Sequence, residues 1–307
     1  MNKFLGLFLG AILALVLTGC GSTDEGSEND KIVVTTTIGQ IADIVKNVGG
    51  EHVEVDGLMG PGIDPHLYKA SQGDISKLSK ADIIFYNGLH LEGKMGDIFA
   101  KMKKDKPTHP VAEAIPEDML LRDQADSSAV DPHVWFNIDL WKYAVEEVRD
   151  GLIEYDPEHK DEYTKNTEAY LNELEEVQAE AQQKINEIPK ESRVLVTAHD
   201  AFQYFGQAYG MEVKGLQGLS TDSEYGLRDV QNLVNVLVDR NIKAVFIESS
   251  ISERSINAVV EGSREKGHDV KIGGELFSDA MGEKGTPEGT YTGMYRHNIE
   301  IITNSLK

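Results

Sequence analysis

Three scarcities in this 307-residue chain each close off a class of function. Cysteine occurs once, at Cys20, so no internal disulfide can form. Basic residues are outnumbered, 30 Lys and Arg against 52 Asp and Glu, for a formal charge of −22 at pH 7. A surface of that sign repels nucleic acid and anionic lipid headgroups, and it raises the local concentration of cations. Apolar runs are short: Phe4 to Leu17 is 14 residues long and interrupted by glycines, below the ~20 residues that a spanning helix needs. Two signatures are also missing. No Gly-x-x-x-x-Gly-Lys-Ser/Thr loop is present to cradle a nucleotide, and no His-Glu-x-x-His marks a zinc protease.

What is present begins with an export signal. Lys3 supplies a positive start, the apolar run follows, and Leu17-Thr18-Gly19-Cys20 fits the bacterial lipobox. The expectation is a signal peptide over residues 1–19 and a lipidated Cys20. Residues Gly21 to Asp30 contain no apolar side chain, so 20–30 is expected to be a flexible tether. The protein would then sit on the extracytoplasmic face of a membrane, held by acyl chains rather than by a spanning helix. Loss of residues 1–19 removes one Lys and no acid, shifting the formal charge from −22 to −23.

From Lys31 onward the pattern alternates strand and helix, which predicts an α/β fold with largely parallel sheets. Strands are expected at 31–37, 52–58, 82–86, 193–197, 211–219, 244–248 and 269–274. Helices are expected at 38–48, 71–81, 91–103, 135–155, 201–207, 227–240, 253–265 and 291–306, and 105–130 reads as loop. The longest helical pattern runs from about Glu158 to Ile188, ~45 Å at 1.5 Å per residue. Asp156 is its expected N-cap and Pro157 its first residue. Tyr170, Leu174, Val177, Ala181, Ile185 and Ile188 form one apolar stripe. The chain thus divides into an N-terminal lobe (31–156), a linking helix (157–188) and a C-terminal lobe (189–307). Parallel sheets bind ligands beyond the carboxyl ends of their strands, and in two lobes those edges would face one cleft.

Four side chains stand where that cleft is expected. Asp-Pro-His occurs twice, at Asp64-Pro65-His66 and Asp131-Pro132-His133, while the third Asp-Pro pair, Asp156-Pro157, leads into Glu158. Proline fixes its own φ and biases its predecessor toward extended geometry, so each tripeptide holds an imidazole on a stiff turn. His199 follows the strand at 193–197, and Asp279 follows the strand ending near Gly274. Three imidazoles and a carboxylate suit a borderline divalent cation such as Zn²⁺ or Mn²⁺. A site shared between lobes would couple binding to their closure. Taken singly, a histidine at a strand end is more often a hydrogen-bonded structural residue, and Asp279 fits a turn or a helix cap equally well. Asp64, Asp131 and Asp200 adjoin candidate ligands and suit either imidazole orientation or turn and cap roles. His52, His90, His109, His159, His268 and His297 carry no metal assignment, and His159 is expected to be solvated. Imidazole protonation predicts weaker metal binding below about pH 6.5.

The segments Asp64-Pro65-His66-Leu67-Tyr68, Asn87-Gly88-Leu89-His90-Leu91-Glu92, Asp131-Pro132-His133-Val134-Trp135, Thr197-Ala198-His199-Asp200-Ala201-Phe202 and Ser278-Asp279-Ala280-Met281-Gly282 occur in that order. Together with the lipobox, they resemble the metal-binding lipoproteins of bacterial manganese and zinc ABC transporters, and most of all the manganese-binding lipoproteins of Gram-positive bacteria. The resemblance spans residues 31–307. It implies two β/α lobes joined by one long rigid helix, with a single ion between the lobes. His66, His133, His199 and Asp279 would be its ligands. It also implies a monomer working with an ABC permease and a separate ATPase, and no enzyme activity. Two departures bear on the ion. His199 stands where many manganese members carry glutamate, and residues 105–130 hold only His109, whereas zinc members often carry a His-rich loop there. Donor chemistry leans to Zn²⁺, since three nitrogens suit it; whole-chain resemblance leans to Mn²⁺, which is the expectation adopted. The competing readings are a zinc hydrolase, for which Glu248 is the one candidate base, and a surface adhesin, for which no residue speaks.

Overall fold

The computed structural model describes residues 31–123 and 126–307. The expectations for residues 1–30, including the signal peptide, Cys20 and the tether, lie outside the described residues. The first half contains β1 (Ile32–Thr36), α1 (Gly39–Gly49), β2 (Val53–Gly57), α2 (Gln72–Lys80), β3 (Ile83–Tyr86), α3 (Gly96–Met102), β4 (Thr108–Pro110) and α4 (Ile138–Tyr155). The long helix α5 (Lys160–Ile185) follows. The second half contains β5 (Val194–His199), α6 (Gln203–Tyr209), β6 (Glu212–Gln217), α7 (Leu227–Asp239), β7 (Ala244–Glu248), α8 (Arg254–Glu265), β8 (Lys271–Leu276) and α9 (Tyr291–Leu306).

The first lobe is built on one four-stranded sheet in the order β2-β1-β3-β4, parallel throughout, with Val34 of β1 opposite Val55 on one side and Ile83 on the other. Central β1 is covered on both faces, which is why it reads as an apolar β-branched run rather than an alternation. In the second lobe the strands form two parallel pairs, β5-β6 and β7-β8, with β5 lying against β7. Every strand pair in these sheets is parallel, so within the first sheet all carboxyl ends share one edge.

Helix α1 packs Ile41, Ile44, Val45 and Val48 inward, and Gly50, at φ 56°, turns the chain out of it. Helix α2 starts on a reciprocal cap between Ser71 and Asp74. The long helix buries the expected stripe and extends it through Tyr163 and Thr167. It is shorter than the pattern suggested. Residues Pro157–His159 form a 3₁₀ turn before it, and the last regular residue is Ile185, giving 26 residues and ~39 Å. Asp156 does not cap its backbone; its carboxylate instead accepts the Tyr163 hydroxyl at 2.7 Å and faces His159 Nδ1 at 2.6 Å.

The expected helix over 91–103 is also cut to Gly96–Met102. Ahead of it Gly88, Leu89 and His90 all have positive φ. The cause is Glu92, whose buried carboxylate accepts the Thr37 hydroxyl and the backbone N–H groups of Asn87 and Gly88. Those bonds close the chain into a left-handed turn where a helix would otherwise begin.

One apolar core runs through both halves. Val34, Phe85, Trp141 and Val145 of the first half join Phe202, Phe205, Phe246 and Leu276 of the second. At the junction Phe136 stacks on Phe202 at 4.3 Å, and the buried hydroxyls of Tyr291 and Tyr295 donate to the carbonyls of Trp135 and Phe136. A smaller cluster around Leu233, Val245 and Val259 fills the far side of the second lobe.

Candidate metal centre

The two Asp-Pro-His turns have the same local geometry. In each, the aspartate Oδ1 accepts the backbone N–H of the histidine two residues on, at 2.9 Å for Asp64–His66 and 3.0 Å for Asp131–His133. Proline between them presets the turn and has no N–H to divert the carboxylate. The first turn lies in the loop after β2, and the second enters the 3₁₀ turn ahead of α4. Asn87, at the carboxyl end of β3, ties the second turn to the sheet by donating from Nδ2 to the Pro132 carbonyl at 3.1 Å. His199 is the last residue of β5, and Asp279 follows β8.

All four side chains converge. Their donor atoms lie within 4.8 Å of one another, and all four residues are buried. His66 Nε2 is 3.3 Å from His133 Nε2. Asp279 turns Oδ1 toward His133 Nε2 at 3.4 Å, and Oδ2 toward His199 Nε2 at 3.3 Å and His66 Nε2 at 3.7 Å. Donors bound tetrahedrally at ~2.0–2.1 Å stand about 3.3–3.4 Å apart, so these separations frame a cavity of one ion's size. Neither Asp279 oxygen nor His199 Nε2 has a hydrogen-bond partner. Buried polar atoms left in that state are costly unless something else satisfies them, and a divalent cation does so for all of them at once. The donor set offers three nitrogens and two carboxylate oxygens, enough for four- or five-fold coordination.

Each imidazole except His66 is backed by a carboxylate. Asp131 Oδ1 faces His133 Nδ1 at 2.7 Å. Glu248 Oε1 accepts the His199 backbone N–H at 2.9 Å, and its Oε2 lies 2.6 Å from His199 Nδ1, close but bent away from hydrogen-bond alignment. Such partners fix which ring nitrogen is free to bind metal. The electrostatics follow. Burial, joined by the neighbouring His133 and His199, drives His66 down to about 3 despite Asp279. Burial also opposes charge on His133, but Asp131 and Asp279 outweigh it and lift the ring to about 9. His199 is raised well above its ordinary value, burial being overcome by Glu248 and Asp279. Asp279 is held well below the carboxylate range because the three imidazoles overcome its burial. With His133 and His199 drawn toward the charged form, a divalent cation would have to displace protons to bind here.

The Asp279 segment hangs on the first lobe. The Ser278 carbonyl accepts from Trp135 Nε1 at 3.1 Å and from Gln40 Nε2 at 3.3 Å, and Gln40 Nε2 also reaches the Asp279 carbonyl at 3.3 Å. Across the mouth, the Asp64 carboxylate that holds His66 also accepts the Thr221 hydroxyl at 2.6 Å, and Lys94 Nζ pairs with Asp222 at 2.9 Å.

Of the three flanking aspartates, only Asp131 orients an imidazole; Asp64 serves the His66 backbone, and Asp200 accepts from Gln203 Nε2. Gln40 and Trp135 escaped the sequence reading. The available signal for Gln40 was a polar side chain on the apolar face of α1. Glu248, considered only as a base, supports His199. The other histidines stay away from the cleft: His109 pairs with Glu147, and His268 and His297 donate to the carbonyls of Ile242 and Glu275. His159, expected to be solvated, keeps 28% of its side chain exposed while one face of its ring stacks on His52 at 3.8 Å.

Comparison with known proteins agrees with this geometry. Residues 34–305 match the family described as ZnuA, zinc-uptake complex component A, periplasmic. The manganese-binding lipoprotein MntA of Bacillus subtilis is 57% identical over 304 residues, covering 98% of this chain and 99% of that protein. The zinc-binding protein TroA of Treponema pallidum is 48% identical over 300 residues, covering 96% of each. A solved structure of that periplasmic zinc-binding protein superposes with a TM-score of 0.88 at 49% identity, covering 90% of this chain and 99% of that one. The chain belongs to the ZnuA family: it is a metal-binding, substrate-binding protein of the ABC-transporter class, and not an enzyme.

Proposed function

We propose that this protein captures Mn²⁺ on the outer face of the membrane and hands it to an ABC permease driven by a separate ATPase. His66, His133, His199 and Asp279 are the ligands, Cys20 carries the lipid anchor, and residues 157–188 link lobes 31–156 and 189–307. The observation that carries the reading is the buried convergence of three imidazole Nε2 atoms on both oxygens of one unpartnered carboxylate. Four protein ligands leave little room for the open water position that a catalytic zinc keeps. The choice of manganese rests on similarity to a protein named for manganese binding over 98% of the chain.

Zinc is the alternative cargo. Three nitrogen donors favour it, and at a given N/O site it binds more tightly than Mn²⁺. The relative named for zinc binding is nearly as similar. The test is a titration of metal-stripped residues 21–307 with each ion, alongside His66→Ala and Asp279→Ala. Both variants are expected to lose high-affinity binding; wild-type affinity in both would remove the site. Binding of zinc alone, with normal manganese uptake in a deletion strain, would reverse the choice of ion. A Cys20→Ala protein is expected in the medium, and its retention on the membrane would refute the anchor.

A further inference from the structure

A second group of metal-binding side chains lies at the opposite edge of the first sheet. Glu51 and His52 form the turn leading into β2, and Glu162 is in the first turn of α5. Strand β2 runs from Val53 away from this turn toward the loop that carries His66. The group therefore sits at the amino ends of the parallel strands while the cleft sits at their carboxyl ends. It shares no residue with the cleft.

One imidazole nitrogen and two carboxylate oxygens here lie within 4.8 Å of one another. His52 Nε2 is 2.7 Å from Glu162 Oε2. The His52 ring is not a free surface side chain. His159 stacks on one face with ring centroids 3.8 Å apart, Tyr163 meets it edge-on at 5.8 Å, and only 10% of the side chain is exposed. His159 is itself fixed by Asp156, 2.6 Å from its Nδ1. A donor already locked in place loses little freedom on binding. The positive end of the α5 dipole would disfavour a cation here. Asp161 and Glu162 in that first turn, with Glu158 just before it and Glu51 opposite, answer it with negative charge. Lys165 also faces Glu162.

We propose that Glu51, His52 and Glu162 form a second, open site for a borderline divalent cation, with Zn²⁺ as the ion its donors favour. Imidazole nitrogen suits zinc better than it suits Mn²⁺ or Mg²⁺. Three protein donors leave a coordination position for water, in contrast to the enclosed cleft. On binding, the ion takes the place of the hydrogen between His52 Nε2 and Glu162 Oε2, and the neutral ring keeps that hydrogen by carrying it on Nδ1 instead. The site pins the start of the linking helix to the turn before β2, so zinc there stabilises the folded chain by mass action.

The test uses mature protein in which His66→Ala and Asp279→Ala disable the cleft, so its outcome is independent of the cargo assignment. Equilibrium dialysis against Zn²⁺ alone is expected to leave one bound equivalent per chain. Adding Glu162→Gln, on an exposed helical position, or His52→Ala should weaken that equivalent by more than about tenfold, the loss of one donor in three. Far-UV circular dichroism checks that each variant is folded, and the zinc-dependent rise in Tm should vanish with the equivalent. No bound zinc in the cleft-disabled protein overturns the proposal. So does an equivalent whose affinity is unchanged in folded Glu162→Gln and His52→Ala.

Discussion

At the residue scale, the cleft is decided by which groups hold protons when no metal is there. Against the cost of burial, Asp131 and Asp279 draw His133 toward the charged form, up to about 9, and Glu248 and Asp279 draw His199 the same way, whereas burial pushes His66 down to about 3. Metal ligation needs the neutral ring. An entering ion must expel the protons that His133 and His199 hold, so apparent affinity is expected to rise with pH from neutral through about 9, where His133 gives up its proton. The expectation of a fall only below about pH 6.5 treated the rings as unperturbed; Asp131 and Glu248 move that range upward. Titration at pH 7 in buffers of different ionisation enthalpy should count more than one proton released per ion. Zero release would contradict the charge assignment. The carboxylate behind His199 can be tested singly: Glu248→Gln keeps the shape of a fully buried side chain while removing its charge. Metal affinity should fall about 10–100-fold with little change in fold, read by the same titration.

At the element scale, the strand ends decide where the donors stand. Gly215 on β6 pairs opposite Thr197, and a Cβ there would come within 2.5 Å of the Asp200 amide nitrogen and 2.6 Å of the His199 carbonyl carbon. Backbone cannot yield as a flexible side chain can. Gly215→Ala should therefore displace the end of β5 and weaken metal binding while also lowering Tm; wild-type affinity would show that the strand pair tolerates the shift. That contact gives Gly215 its task at the end of β5. More was legible elsewhere. The parallel α/β alternation, the stripe on α5 and all four convergent side chains follow from periodicity, from strand ends and from the doubled tripeptide. What stayed hidden depends on partners distant in sequence. Glu92 unwinds the start of a helix by binding Thr37, 55 residues away, and Gln40 reaches the carbonyls of Ser278 and Asp279. No local window contains both members of such a pair.

At the scale of the whole molecule, the lobes meet through apolar core and not only through the ion. Phe136 on Phe202, and the Tyr291 and Tyr295 hydroxyls on backbone carbonyls across the junction, leave no seam along which the halves can separate freely. A site shared between lobes implied coupling of binding to their closure. The continuous core and the bonds from Gln40 and Trp135 to the Asp279 segment instead tie the two halves together beside the site. Calorimetry should then record one cooperative unfolding transition for residues 21–307, with Tm rising as metal is added; two separated transitions would mean independent lobes. Phe202→Ala should cost about 3–5 kcal/mol. Trp135 supplies one more consequence. The chain has two tryptophans, Trp135 and Trp141, both fully buried. The Trp135 indole meets the His133 ring edge-on at 5.3 Å and binds the carbonyl that precedes Asp279. Exchange of a proton for an ion on His133 changes the charge beside that ring, and the emission of Trp135 is expected to change with it. The molecule thus carries its own optical gauge of occupancy, allowing cargo arrival and departure to be timed by stopped-flow fluorescence without any added label.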